Sequence, residues 1–195
     1  MKYEKFLTDS GIGKDVSSAS FDRQCLLDSN LIEWGRAWLI SRNKPSLILQ
    51  GNSGCGKTFF SIALLKEFWG LLQPYPFIIF KISSQLDSQL LSAVMGKCDR
   101  DADSIIKMCS ESTLFILDDL GVETASDRVQ RQYFEIFNAR YTQNRLTVLS
   151  TNCSIKQLCN KFGERFYSRL KCFKLVKFPE VDFREKLATN NIIQL

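Results

Sequence analysis

The segment Leu49-Gln-Gly51-Asn-Ser-Gly54-Cys-Gly56-Lys57-Thr58-Phe-Phe60 constrains this chain more than any other. It sets the spacing G-x-x-x-x-G-K-[ST] after a short aliphatic run and ahead of a helical pattern of Phe60, Ala63, Leu64 and Phe68. Glycines let a backbone wrap closely around an anion, and the first N–H groups of a helix have no partners within it. A strand, a glycine loop and a helix in that order therefore form a nest for a di- or triphosphate. The spacing assigns the cradle to Asn52, Ser53, Gly54, Cys55, Gly56, Lys57, Thr58 and Phe59. Lys57 reaches the β- and γ-phosphates, and the Thr58 hydroxyl holds Mg²⁺. A glycine-rich turn with a chance lysine is the plainer reading, but it leaves the flanking strand and helix patterns as coincidences.

Five short β-branched or aliphatic stretches stand out, Leu47–Gln50, Phe77–Ile82, Leu114–Asp118, Leu146–Thr151 and Cys172–Phe178, most of them apolar at consecutive positions. Such runs suit strands covered on both faces, as in a parallel sheet. Between them, helical spacing is set by Leu27, Leu31, Trp34 and Trp38, by Leu86, Leu90 and Val94, and over residues 129–141. Alternating strands and helices predict a three-layer α/β domain with right-handed crossovers. At 195 residues and 45% hydrophobic content the chain has room for one buried core. Residues 1–20, polar and without a sustained period, read as a tail or linker, leaving 21–195 as the folded domain.

The seven cysteines form no C-x-x-C pair and histidine is absent, which leaves no zinc ribbon and no His-ligated metal site. An odd cysteine count without a basic-then-apolar leader argues against secretion, and no run approaches 18 apolar residues. Reduced thiols, a cytoplasmic location and no membrane contact are the expectation.

A nucleotide site also needs a carboxylate strand, and Leu114-Phe-Ile-Leu-Asp118-Asp119 supplies one. Its acids emerge at the C-terminal end, where ligands bind in open α/β sheets. Asp118 is placed to bind Mg²⁺ and Asp119 to polarise an attacking water. Asn152, after the run Leu146–Thr151, could reach the γ-phosphate or that water, and equally could start a turn or cap a helix. Arg165 and Arg169 lie four apart on one helix face, a spacing that also fits a solvated basic stripe. From Lys161 to Lys177 six basic residues interleave with Phe162, Phe166, Tyr167, Phe173 and Phe178, a mixture suited to single strands. Against that, much of the stretch is expected to be a core strand with buried aromatics. Lys97, Arg100 and Lys107 are a second basic candidate.

The succession GNSGCGKT, LFILDDLG, LSTN and GERFYSRL resembles the AAA+ ATPases of the DnaC/DnaI helicase-loader group and their transposition relative IstB, from about Ser10 nearly to the C-terminus. The resemblance implies a five-stranded P-loop sheet in the order 5-1-4-3-2, with Asn152 as the sensor-1 residue. It implies Arg169 as an arginine finger acting on a neighbouring subunit's ATP, with Arg165 close by, and Arg184 in a sensor-2 role. Only 17 residues follow Phe178, too few for a C-terminal helical lid. The expectation is a chain without the separate N-terminal domain of helicase loaders, and the Asp-Asp pair, where many AAA+ enzymes have Asp-Glu, implies slow hydrolysis. The implied function is a DNA-replication ATPase that binds ATP/ADP with Mg²⁺, self-associates on single-stranded DNA and delivers or remodels a replicative helicase. The alternatives are an IstB-like transposition ATPase and a non-hydrolysing adaptor that occupies a helicase or initiator surface. A nucleoside kinase would need an arginine-rich lid that the sequence does not display.

Overall fold

The computed structural model describes residues 3–22, 27–71, 77–121 and 126–183. Arg184 and the Val122-Glu123 portion of the family match lie outside the described residues. In chain order the elements are α1 (Tyr3–Asp9), α2 (Lys14–Ser17), α3 (Ser29–Ile40), β1 (Leu47–Gln50), α4 (Lys57–Leu71), β2 (Ile78–Ile82), α5 (Ser83–Val94), α6 (Ala102–Glu111), β3 (Leu114–Leu120), α7 (Asp127–Thr142), β4 (Leu146–Thr151), α8 (Ile155–Leu170) and β5 (Lys174–Lys177).

The strands pair in parallel in the order β2-β3-β4-β1-β5, which is the expected 5-1-4-3-2 read from the other edge. Their consecutive apolar residues have a direct cause. Leu47, Leu49, Leu114, Ile116 and Val148 feed one core with α1 to α4, while Ile48, Phe115, Leu117 and Leu149 feed a second with α5 to α8. Successive strand residues point to opposite faces, so a sheet covered on both sides needs apolar side chains at every position. The order sets β4 between β3 and β1, bringing the ends of the acid strand and the phosphate-loop strand together.

Capping side chains fix where the later helices begin. Asp28, Asp101, Ser126 and Ser154 accept N–H groups at the starts of α3, α6, α7 and α8, and Ser154 with Gln157 completes a reciprocal capping box. Among the described residues no helix is long and apolar enough to cross a membrane.

Two sequence expectations are corrected here. The lead-in within residues 1–20 is not a tail over its described part, because α1 and α2 pack onto the domain. Phe6, Leu7, Ile12 and Ala19 are buried, and Tyr3 and Phe6 meet the Trp69 ring at 5.7 and 5.1 Å. Helices of seven and four residues are too short to show a period, yet Tyr3, Phe6 and Leu7 already make one face. This cover also explains why α4 buries Phe59, Phe60, Ile62, Ala63, Leu64, Leu65, Phe68 and Trp69 and not a single stripe. The second correction concerns the basic, aromatic stretch from Lys161. It is helical to Leu170, and the strand is confined to Lys174–Lys177 at the sheet edge.

Candidate functional site

The loop from Gly51 to Gly56 leaves the C-terminal end of β1 and enters α4 directly, with the Phe60 N–H donating to the Gly56 carbonyl at 2.9 Å. Gly54 and Gly56 hold φ of 75° and 93°, left-handed values that a side chain would strain. Lys57 is 5% exposed and curls back over the loop, donating to the carbonyls of Gly51 at 2.9 Å and Asn52 at 2.6 Å. Among the described residues the side-chain ion pairs belong to Arg36, so this buried ammonium rests on neutral carbonyls. An anion in the loop would find a cation already desolvated and aimed.

The carboxylate end is built by β3 and β4. Asp118 is 2% exposed; Thr58 Oγ1 donates to its Oδ2 at 2.8 Å and the Ser150 hydroxyl to its Oδ1. Ser150 Oγ in turn accepts the Asp119 N–H at 2.9 Å. Pairing passes from Leu117↔Leu149 to Leu120↔Thr151, so β3 carries one extra residue there. That bulge turns the chain at the acidic pair and holds Asp119 at φ 57°, a conformation uncommon for a non-glycine residue. Burial pushes the Asp118 carboxyl up to about 6; the neighbouring Asp119 charge adds to this, and the Ser150 and Thr58 hydroxyls and Lys57 oppose it.

The Asp118 carboxylate and the Thr58 hydroxyl therefore converge on one point. Among the described residues no cluster of three or more acidic, cysteine or histidine side chains could cage a metal. A hydroxyl and one carboxylate suit Mg²⁺, which keeps several waters and shares phosphate oxygens. The residues present fit a Mg–nucleoside triphosphate.

Asn152 directly follows β4, in the gap between the strands bearing Asp118 and the phosphate loop, and is exposed. Arg165 and Arg169 turn toward α7. Their guanidiniums stack on Phe134 at 4.9 and 5.7 Å, and Arg169 also covers Tyr141 at 5.2 Å and donates to Asn138 Oδ1 at 2.8 Å. They are thus oriented cations and not a freely solvated stripe. Gly163, at φ 83° and ψ 163°, breaks α8 just ahead of them and sets the direction of its last two turns. Of the interleaved aromatics, Phe162, Phe166 and Phe178 are buried and cannot stack on bases, while Tyr167 carries Lys171 at 5.3 Å.

Sequence reasoning missed Ser150 and Asp182. Ser150 had a signal, being a buried polar residue in an otherwise apolar strand. Asp182 had none, because its contact with Gly54 spans most of the chain.

The family model described as IstB-like ATP binding protein matches residues 7–169. The "Replicative helicase loader DnaC" of Escherichia coli (strain K12) is 22% identical over 176 residues, covering 88% of this chain and 70% of that protein. The crystal structure of the DnaC helicase loader superposes with a TM-score of 0.74 at 21% identity, covering 86% of this chain and 100% of that one. The replication initiator DnaA bound to AMPPCP and single-stranded DNA superposes with a TM-score of 0.69 at 19% identity, covering 91% of this chain and 56% of that one. The sheet order is that of the P-loop AAA+ fold, and the family match spans both the phosphate loop and the acidic pair. The chain belongs to the IstB-like ATP binding protein family.

Proposed function

We propose that this chain is an AAA+ ATPase acting in DNA replication, of the helicase-loader type. The observation that carries the reading is the Thr58–Asp118 hydrogen bond at 2.8 Å beneath a formed phosphate loop, in a chain of the DnaC-related family. The Gly51–Thr58 backbone and Lys57 hold the phosphates of ATP or ADP, and Thr58 and Asp118 hold Mg²⁺. When bound, the ion supplies charge neutralisation to the phosphates. Asp119 orients and deprotonates the attacking water, and Asn152 positions that water from the end of β4. Ser150 fixes both acids by bonding to the Asp118 side chain and the Asp119 backbone.

Arg165 and Arg169 serve a neighbouring copy's nucleotide. Their described contacts are with Phe134, Asn138 and Tyr141 of their own α7 and with the adjacent Ser168, not with their own phosphate loop. Turnover therefore depends on assembly, and the assembled chains hold single-stranded DNA and act on a replicative helicase. The names of the similar proteins, a helicase loader and an initiator bound to single-stranded DNA, support this partner class. The test is steady-state phosphate release with and without single-stranded DNA, for wild type and Arg169→Ala. Stimulated turnover lost in Arg169→Ala but restored by mixing with Lys57→Ala subunits supports the reading, and no stimulated turnover in either protein supports a non-hydrolysing adaptor. The family is described as IstB-like, and the resemblance of the motifs to IstB implies a second reading, a transposition ATPase acting on duplex DNA. Capture of the native partner in the presence of an ATP analogue separates them, a helicase supporting the first and a transposase the second.

A further inference from the structure

The chain after β5 crosses back over the phosphate loop and is fastened to it at several points. The Phe178 N–H donates to the Gln50 carbonyl at 2.7 Å and its ring meets Phe60 edge-on at 5.6 Å. A Cβ added to Gly51 would lie 2.8 Å from the Phe178 Cβ. Further on, the Phe183 N–H donates to the Gly54 carbonyl at 3.0 Å. Between these ties the Asp182 carboxylate lies flush on Gly54, where an added Cβ would sit 1.9 Å from Oδ1 and 2.6 Å from Oδ2.

Gly54 stands in the cradle that the nucleotide reading assigns to the phosphates. The loop N–H groups, the start of α4 and the buried Lys57 ammonium favour an anion there. A carboxylate fixed on the loop does the opposite. The ties on either side of it are backbone hydrogen bonds and a buried ring, which hold the Asp182 backbone against the loop.

We infer that Asp182 sets the nucleotide affinity of this site, as a fixed negative charge on Gly54 that opposes an incoming polyphosphate. This rests on Gly51–Thr58 being a phosphate cradle. Repulsion over several ångströms through a partly screened medium weakens triphosphate binding on the order of tenfold, more for ATP than for ADP, and salt reduces it. Asp182 is then a residue of the site outside the motifs that define it, and nucleotide entry loads the segment following β5.

The test is calorimetric titration of wild type and Asp182→Asn with Mg–ATP and Mg–ADP, at about 0.05 M and about 0.5 M salt. Asp182→Asn is expected to bind ATP about tenfold more tightly at low salt, with a smaller gain for ADP and a gain that shrinks at high salt. Asp182→Ser gives the same readout from a smaller side chain, and nucleotide-free melting shows that each variant is folded. A loss of packing alone would not depend on salt or on phosphate number. ATP binding to wild type with equal or weaker binding to both variants overturns this inference alone, and failure of ATP to bind any of the three overturns the nucleotide reading as well.

Discussion

Two buried charges occupy opposite ends of the same sheet, and they are treated in opposite ways. At the end where β3 and β4 begin, Arg140 is 1% exposed. It donates to Thr147 Oγ1 at 2.8 Å, to the carbonyls of Cys109 at 2.7 Å and Ser112 at 3.0 Å, to Ser112 Oγ at 2.9 Å, and to the Leu146 carbonyl. It also lies over the Phe115 ring at 5.4 Å. Those carbonyls include the C-terminal turn of α6, where a cation also meets the favourable end of the helix dipole. At the other end, Asp118 is as deeply buried but accepts only hydroxyl donors, sits beside a second acid, and is pushed up to about 6. Lys57 nearby is directed at its own loop's carbonyls. Burial alone therefore does not mark a site. Burial disfavours both charges, pulling the Arg140 guanidinium down to about 9 as it pushes Asp118 up; what separates the two ends is that Arg140 spends its donors on carbonyls and hydroxyls of the chain, whereas Asp118 and Lys57 flank an open loop.

The backbone repeats the contrast. The two non-glycine residues with positive φ among those described are Asn144 at 50° and Asp119 at 57°. Asn144 lies in the tight turn between α7 and β4, where asparagine tolerates that conformation. Asp119 lies within β3, where the bulge after Leu117 holds it in that conformation beside Asp118.

These differences make ordered predictions. Arg140→Met should cost the most, about 3–5 kcal/mol of unfolding free energy in urea denaturation, because several buried carbonyls lose their donor. A loss under about 1 kcal/mol would show that this end is not held by the guanidinium. Asp118→Asn should act in the opposite direction, stabilising the nucleotide-free chain by about 1–2 kcal/mol at neutral pH while removing Mg²⁺-dependent ATP affinity. The sign follows from the raised folded-state value. Folding favours the protonated acid, so the wild type's contribution from this group is full below the unfolded value near 4 and is lost as pH rises through about 6. Relative to Asp118→Asn, wild-type stability should fall by roughly 2 kcal/mol between about pH 4 and pH 7, and a flat difference would contradict the assignment.

Smaller effects separate the two strained residues. Asp119→Gly should raise stability by up to about 1 kcal/mol and abolish turnover with ATP binding retained. Asn144→Gly should stay within about 0.5 kcal/mol of wild type and leave turnover unchanged. Equal effects at the two positions would erase the distinction between a turn residue and a positioned acid.

The sequence displayed the ligand-ready end better than the compensated one. The inner strands were legible because a sheet covered on both faces writes nearly uninterrupted apolar runs, and the phosphate loop because its chemistry is local to eight residues; the edge strand β5, Lys-Leu-Val-Lys and mostly exposed, was placed within a longer stretch. The order of the strands was not in the runs themselves and came from the family resemblance. Arg140 was invisible, since an arginine in Phe-Asn-Ala-Arg140-Tyr-Thr reads as a solvated helix residue until α6 and β4 are brought to it. Nor were α1 and α2 visible, their few apolar residues gaining meaning only against Trp69. Within the candidate site, Thr58 and Asp118 were singled out from their motifs and lie hydrogen-bonded to each other, while Ser150 and Asp182 depend on contacts that no local spacing encodes.

The most direct measurement is the thermal midpoint of the wild-type chain with 1 mM ATP, in the presence and absence of Mg²⁺, beside Lys57→Ala, at about 1 mM ligand in each case. For binding near ten micromolar, linkage gives about 2.7 kcal/mol and a rise of several degrees, present only with Mg²⁺ and lost in Lys57→Ala. A midpoint indifferent to Mg–ATP, or a rise that survives in Lys57→Ala, would contradict the claim that this end of the sheet is left for a nucleotide to complete.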